Sequence, residues 1–106
     1  MGMYTEFVID CKLKKETPSE IISLIERMVK RDENLPFTRN PLDDYCGTAD
    51  FTPSFDNLIL KAHGCIKNYC SDIDCFVEII EKWVESGYAK SLYEEDNEWN
   101  FLFLTL

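Results

Sequence analysis

Apolar and polar positions alternate at the start of the chain. Phe7, Ile9, Cys11 and Leu13 fall on one side, and Glu6, Asp10, Lys12 and Lys14 on the other, the period-two mark of a half-buried strand. The period then lengthens. Ile21, Ile25, Met28 and Val29 recur at helical spacing behind Thr17-Pro18-Ser19-Glu20, which predicts a helix opened by a capping box, with Thr17 as N-cap and Pro18 at the first helical position. Between Asp32 and Asn57, Pro36, Pro41 and Pro53 interrupt any pattern. A structureless loop of that length is unusual in a compact domain, so a short strand is expected near Tyr45 to Phe51.

Strand character returns at Leu58, Leu60, Ala62 and Ile66. Ser71 then reads as the N-cap of a second helix through Ile73, Phe76, Val77, Ile80, Trp83 and Val84, with Gly87 as its C′ stop. Tyr88 to Tyr93 and Trp99 to Leu106 flank the acidic turn Glu94-Glu95-Asp96-Asn97-Glu98 and predict a hairpin. The resulting order is that of an α+β, two-layer ferredoxin-like sandwich, β-α-β-β-α-β plus an extra C-terminal strand, with both helices on one antiparallel sheet. It forms one domain, residues 3–106; Met1-Gly2 read as a cloning scar.

The last strand raises its own question, since Trp99, Phe101 and Phe103 line one face in this reading and Leu102, Leu104 and Leu106 the other. One face of such a sheet ordinarily meets water. Either the 32–57 segment covers it or a partner does, and a homodimer through the 99–106 strand is one such partner.

Charge narrows the function classes. Twenty acids against eleven Lys and Arg give a formal net charge of -9, which repels phosphate and anionic lipid and favours a basic partner. Direct nucleic-acid binding is not expected, and the aromatic RNA-binding pattern that some sheets of this kind carry is absent. The excess is uneven: residues 67–106 hold nine acids against Lys67, Lys82 and Lys90. No apolar run approaches the roughly 20 residues of a membrane span. Glu6 and Asp10 interrupt any signal-peptide core, so the cytoplasm is expected. In that compartment the five cysteines read as thiols and not as a disulfide framework.

The segment His63-Gly-Cys-Ile-Lys-Asn-Tyr-Cys-Ser-Asp-Ile-Asp-Cys75 gathers the one histidine and three cysteines. His63, Cys65 and Cys70 could form a metal or thiol module, but the two C-x4-C spacings lack the close pairs of structural zinc sites. The alternative is that Cys11 and Cys75 are small core residues and the others incidental. Cys70 stands nearest a helix start, where a thiolate is favoured. No nucleotide-binding, nucleophile-elbow or metalloprotease motif occurs, and a single histidine has no marked nucleophile partner; the expectation is a non-enzymatic protein without cofactor. Asp43-Asp44 and Asp72/Asp74 are paired carboxylates of the kind that any acid-rich chain contains.

In the second predicted helix, Asp74, Glu78, Glu81 and Glu85 are spaced to form one anionic stripe, about 100° from the apolar stripe. Glu94, Glu95, Asp96 and Glu98 at the hairpin tip extend it if the fold brings them together. Such a surface is either a solvated face of an acidic protein or a docking face for a basic one.

The pieces "MYTEFVIDCKLKKETP" at 3–18, "IKNY" at 66–69 and "GYAKSLYEED" at 87–96 resemble a family of small uncharacterised bacterial proteins. That family has no assigned activity, so the resemblance implies no catalytic residue. Its pattern does not require cysteines at Cys70 and Cys75. Size, acidity and absence of motifs are also similar to phage anti-CRISPR-type inhibitors and to toxin immunity proteins. The expected function is therefore a small acidic inhibitor that occupies a basic surface of a nucleic-acid-acting partner, such as a defence nuclease or toxin. Asp74, Glu78, Glu81, Glu85, Glu94, Glu95, Asp96 and Glu98 are the expected contacts. A toxin immunity protein, or the His63, Cys65 and Cys70 module, is the alternative.

Overall fold

A computed structural model of the chain describes residues 4–42, 49–53, 58–67 and 70–105. Five strands and two helices follow in the order β1 (Thr5–Leu13), α1 (Ser19–Val29), β2 (Asp50–Pro53), β3 (Leu58–Ile66), α2 (Asp72–Ile80), a 3-10 turn (Glu81–Trp83), β4 (Val84–Tyr93) and β5 (Asn100–Thr105). The strands form one antiparallel sheet in the order β2-β3-β1-β4-β5, and the two helices lie on it. This is the α+β architecture expected.

The alternation of β1 is realised along its whole length. Phe7, Ile9, Cys11 and Leu13 are buried, and they join Ile25 and Met28 of α1 and Ile73, Phe76, Val77 and Ile80 of α2 in one core. Phe7 meets Phe76 edge to face at 6.2 Å, and Phe76 meets Phe37 in the same manner at 6.1 Å, a geometry that suits the ring quadrupoles. Phe37 belongs to the segment after α1. That segment is held by Asp72, a buried carboxylate that accepts the backbone N–H groups of Thr38 at 3.1 Å and Arg39 at 2.9 Å. Residues 35–42 thus pack on the helix side of the sheet, with Leu42 buried and Leu35 and Phe37 against the core. The expected strand at 45–51 is found as β2, shifted to Asp50–Pro53; the Tyr45 end of that expectation, Cys46 and Asp43-Asp44 lie outside the described residues, as do Met1-Gly2.

Several local expectations are corrected. Helix α1 starts at Ser19, and the Thr17 hydroxyl donates to the Lys14 carbonyl at 2.6 Å instead of capping the helix. The helix ends with Arg31 at φ 60°, where the N–H of Asp32 reaches the Arg27 carbonyl and that of Arg31 the Met28 carbonyl; this is a Schellman ending built without glycine. Asp32 accepts from the N–H of Asn34 and from the Arg27 side chain, which hold its carboxyl below the ordinary value. Ser71 precedes α2 in a left-handed conformation and makes no side-chain cap.

The larger correction lies at the end of α2. The helix stops at Ile80, and Val84 already belongs to β4, so Gly87 is a strand residue and not a helix stop. Gly87 pairs with Cys11, and a Cβ there would lie 2.3 Å from the Asp10 carbonyl oxygen. The apolar positions at Trp83 and Val84 kept helical spacing by coincidence; Val84 instead faces Leu13 across the β1–β4 ladder.

The last strand is corrected too. A register irregularity between Ala89 and Lys90 pairs Ala89 with Phe103 and Lys90 with Phe101. Phe103 enters the core at 8% exposure, whereas Phe101, at 54%, and Leu104, at 61%, lie outside. Leu106 is outside the described residues.

Candidate functional site

The β-ladder decides which sequence-predicted residues meet. Thr5 pairs with Ile66 of β3 and with Tyr93 of β4. The chain therefore leaves β3 for α2, and β4 for the acidic turn, at one end of the sheet. The first turn of α2, with Asp74 exposed, and the exposed turn residues Glu94, Glu95, Asp96 and Glu98 share that end. The turn is fixed to β1 by a reciprocal pair: the Glu94 N–H donates to the Tyr4 carbonyl at 3.0 Å, and the Tyr4 N–H to Glu94 Oε2 at 3.2 Å. A further bond from the Asp96 N–H to the Tyr93 carbonyl, 2.8 Å, closes it.

The expected helical stripe is only partly assembled. Asp74 and Glu78 are exposed on α2, and Glu81 is exposed on the 3-10 turn after it. Glu85 leaves the stripe: it belongs to β4, and its carboxylate stands 3.3 Å from Lys12 Nζ. Glu81 and Glu85 lie toward the Leu13–Val84 end of the ladder, opposite the acidic turn. The eight acidic residues thus divide between the two ends, and the end with the turn is the denser.

The cysteine cluster disperses. His63 is exposed and Cys65 half-buried on the sheet face away from the helices, Cys70 is exposed past the end of β3, and Cys75 is exposed on α2. Among the described residues no three His, Cys, Asp or Glu side chains are grouped so as to hold a metal ion. Cys75 is not the core residue expected; Cys11 is. Burial, with the neighbouring charge of Asp10, pushes the Cys11 thiol from 9.0 up to about 12, so it stays protonated and inert at neutral pH.

Two features of the outer sheet face have no counterpart in the sequence reading. The first is a depression of about 440 Å³ lined by Tyr4, Glu6, Cys65, Leu92, Tyr93 and Glu94. Its floor is one row of the ladder, because Glu6 pairs with both Cys65 and Leu92. Glu6 Oε2 also lies 3.8 Å from Nε2 of His63. The second is an aromatic group on β4 and β5. Tyr88 and Phe101 meet at 6.1 Å, and the Lys90 ammonium lies over the rings of Trp99 at 4.7 Å, Tyr88 at 5.6 Å and Phe101 at 6.0 Å. The polar alternation of β1 places Glu6 on the outer face, but only the register sets it beside Cys65 and Leu92, and register is not written in one strand's pattern.

Compared with known proteins, the chain matches no protein-family model, no curated protein and no solved structure.

Proposed function

We propose that this protein is a small, acidic, non-enzymatic binding protein that occupies a basic surface of a nucleic-acid-acting partner, in the manner of phage anti-defence inhibitors. The observation that carries the reading is the anionic end of the sheet. Asp74 and the exposed Glu94, Glu95, Asp96 and Glu98 lie there together, on a chain of net charge -9. The hydrogen bonds between Tyr4 and Glu94 hold the base of that turn in place, which lowers the cost of ordering it against a phosphate-binding surface. Its field also speeds encounter with a cationic partner. Glu78 adds to the surface along α2; Glu81 and Glu85 lie toward the opposite end of the sheet and contribute least, and Glu85 is also paired with Lys12.

The fold reading that accompanies this proposal is a ferredoxin-like sandwich with one added strand. It is supported by the order β2-β3-β1-β4 with β5 appended at the β4 edge and by the all-antiparallel pairing. Exposed thiols at Cys70 and Cys75 support a reducing compartment such as the cytoplasm as the place of action.

The test is capture of partners from host lysate on the immobilised protein, washed at rising salt. The proposal expects one basic nucleic-acid-acting protein, eluting as salt screens the contact. Retention of only neutral or acidic proteins, indifferent to salt, would overturn it.

A further inference from the structure

The depression on the outer sheet face combines features that a ligand of one chemical class would use together. Its lining supplies two carboxylates, Glu6 and Glu94, and the phenol ring of Tyr4; Tyr93 also lines it, but it pairs with the buried Thr5 and so directs its ring to the helix side. Leu92 and Cys65 supply its apolar surface. At about 440 Å³ it lies within the size range of small-molecule sites. Carboxylates attract a cation and aromatic faces stabilise one, while the Leu92 side suits an alkyl chain. A neutral apolar ligand would leave the carboxylates unused, and an anion would be repelled by them.

One internal contact shows the same preference at the cavity's own wall. The Lys67 ammonium lies 5.5 Å from the centre of the Tyr4 ring, so this ring already accepts an alkylammonium group on one side. Glu94 is also well placed. Its Oε2 accepts the Tyr4 N–H at 3.2 Å beside the cavity it lines, and a carboxylate has acceptor capacity beyond a single bond. Glu6 is held from the floor by its row of the ladder, 3.8 Å from the His63 ring nitrogen.

The geometry points to an alkylammonium site: the cavity binds a primary amine, with the ammonium between Glu6 and Glu94, beside the ring of Tyr4, and the alkyl chain along Leu92 and Cys65. The chemistry is shared by a free diamine and by a lysine side chain. The site shares Glu94 with the partner-docking surface, but Glu95, Asp96 and Glu98, the outer part of the acidic turn, do not line it, so the two readings are tested separately.

Amide chemical shifts of the 15N-labelled protein, titrated with n-butylamine, putrescine, N-acetyl-lysine methylamide and, as neutral control, n-butanol, test this. The amines are expected to give saturable shifts at Glu6, Cys65, Leu92 and Glu94 that butanol does not produce. The pair Glu6→Gln with Glu94→Gln should weaken amine binding about tenfold or more, the loss of charge-assisted bonds, with shifts far from the cavity unchanged. The single Glu6→Gln, on the outer face, checks that the loss is local. Tighter binding of N-acetyl-lysine methylamide than of putrescine marks a lysine side chain as the ligand, and the reverse order marks a free polyamine. Absence of saturable shifts, equal shifts with butanol, or binding unaltered in the double glutamine variant would overturn the assignment.

Discussion

Gly87 has φ +117°, and a Cβ there would stand 2.5 Å from Cys11 Cα as well as 2.3 Å from the Asp10 carbonyl oxygen. Both the backbone and the neighbouring strand therefore demand glycine. Gly87→Ala is expected to lower unfolding stability by about 3 kcal/mol, the sum of a disfavoured φ and a displaced strand, as measured by chemical denaturation; a loss within experimental error would show that the strands can part there. Cys11 gives a second test. Its thiol stays protonated in the folded chain up to about pH 12, whereas an unfolded chain releases the proton near 9.0. Stability from this group is complete below 9.0 and falls between the two values, by about 1 kcal/mol one pH unit above the lower one. Denaturation midpoints at about pH 8 and about pH 10 should show this fall in the native chain and a smaller one in Cys11→Ala.

At the scale of elements, the sequence marked β1, α1, β3 and the hairpin by period, and it located the α2 core at Ile73, Phe76, Val77 and Ile80. It misplaced the end of α2 because Trp83 and Val84 continue a helical spacing, while Glu81-Lys82-Trp83 form only a 3-10 turn into β4. That error alone put Glu85 in the acidic stripe. The irregularity opposite Ala89 and Lys90 was equally hidden, since it depends on the partner strand. It separates Phe101 from Phe103, which simple alternation places on one face. Phe103→Ala should cost about 3 to 4 kcal/mol and Phe101→Ala under about 1, because only the first leaves a core cavity; equal losses would contradict the observed register. Asp72 shows what charge alone cannot reveal. Two backbone N–H groups of the 35–42 segment depend on its carboxylate. Asp72→Ala is expected to cost about 2 kcal/mol and to increase amide exchange at Thr38 and Arg39.

Across the whole molecule, the chain separates its surfaces by charge and polarity. The helix side carries Asp74 and Glu78, one end of the sheet carries the acidic turn, and the outer face mixes Lys12, Lys61, His63 and Lys90 with Glu6 and Asp10. Among the described residues, the exposed large hydrophobic side chains Tyr93, Phe101 and Leu104 lie on β4 and β5. Of the 32–57 segment, one of the two candidates to cover the outer face, residues 35–42 pack on the helix side instead, with Phe37 against Phe76. A basic partner that engages the turn would therefore meet carboxylates beside apolar surface, a combination of charge for steering and apolar area for affinity. The most direct measurement is parallel capture from host lysate on the native protein and on Glu95→Lys/Asp96→Lys/Glu98→Lys, a variant that leaves the cavity residues and the Tyr4–Glu94 bonds in place. If the anionic end is the docking surface, a basic nucleic-acid-acting protein is held by the native chain, released by salt, and absent from the variant. Equal recovery on both would contradict it.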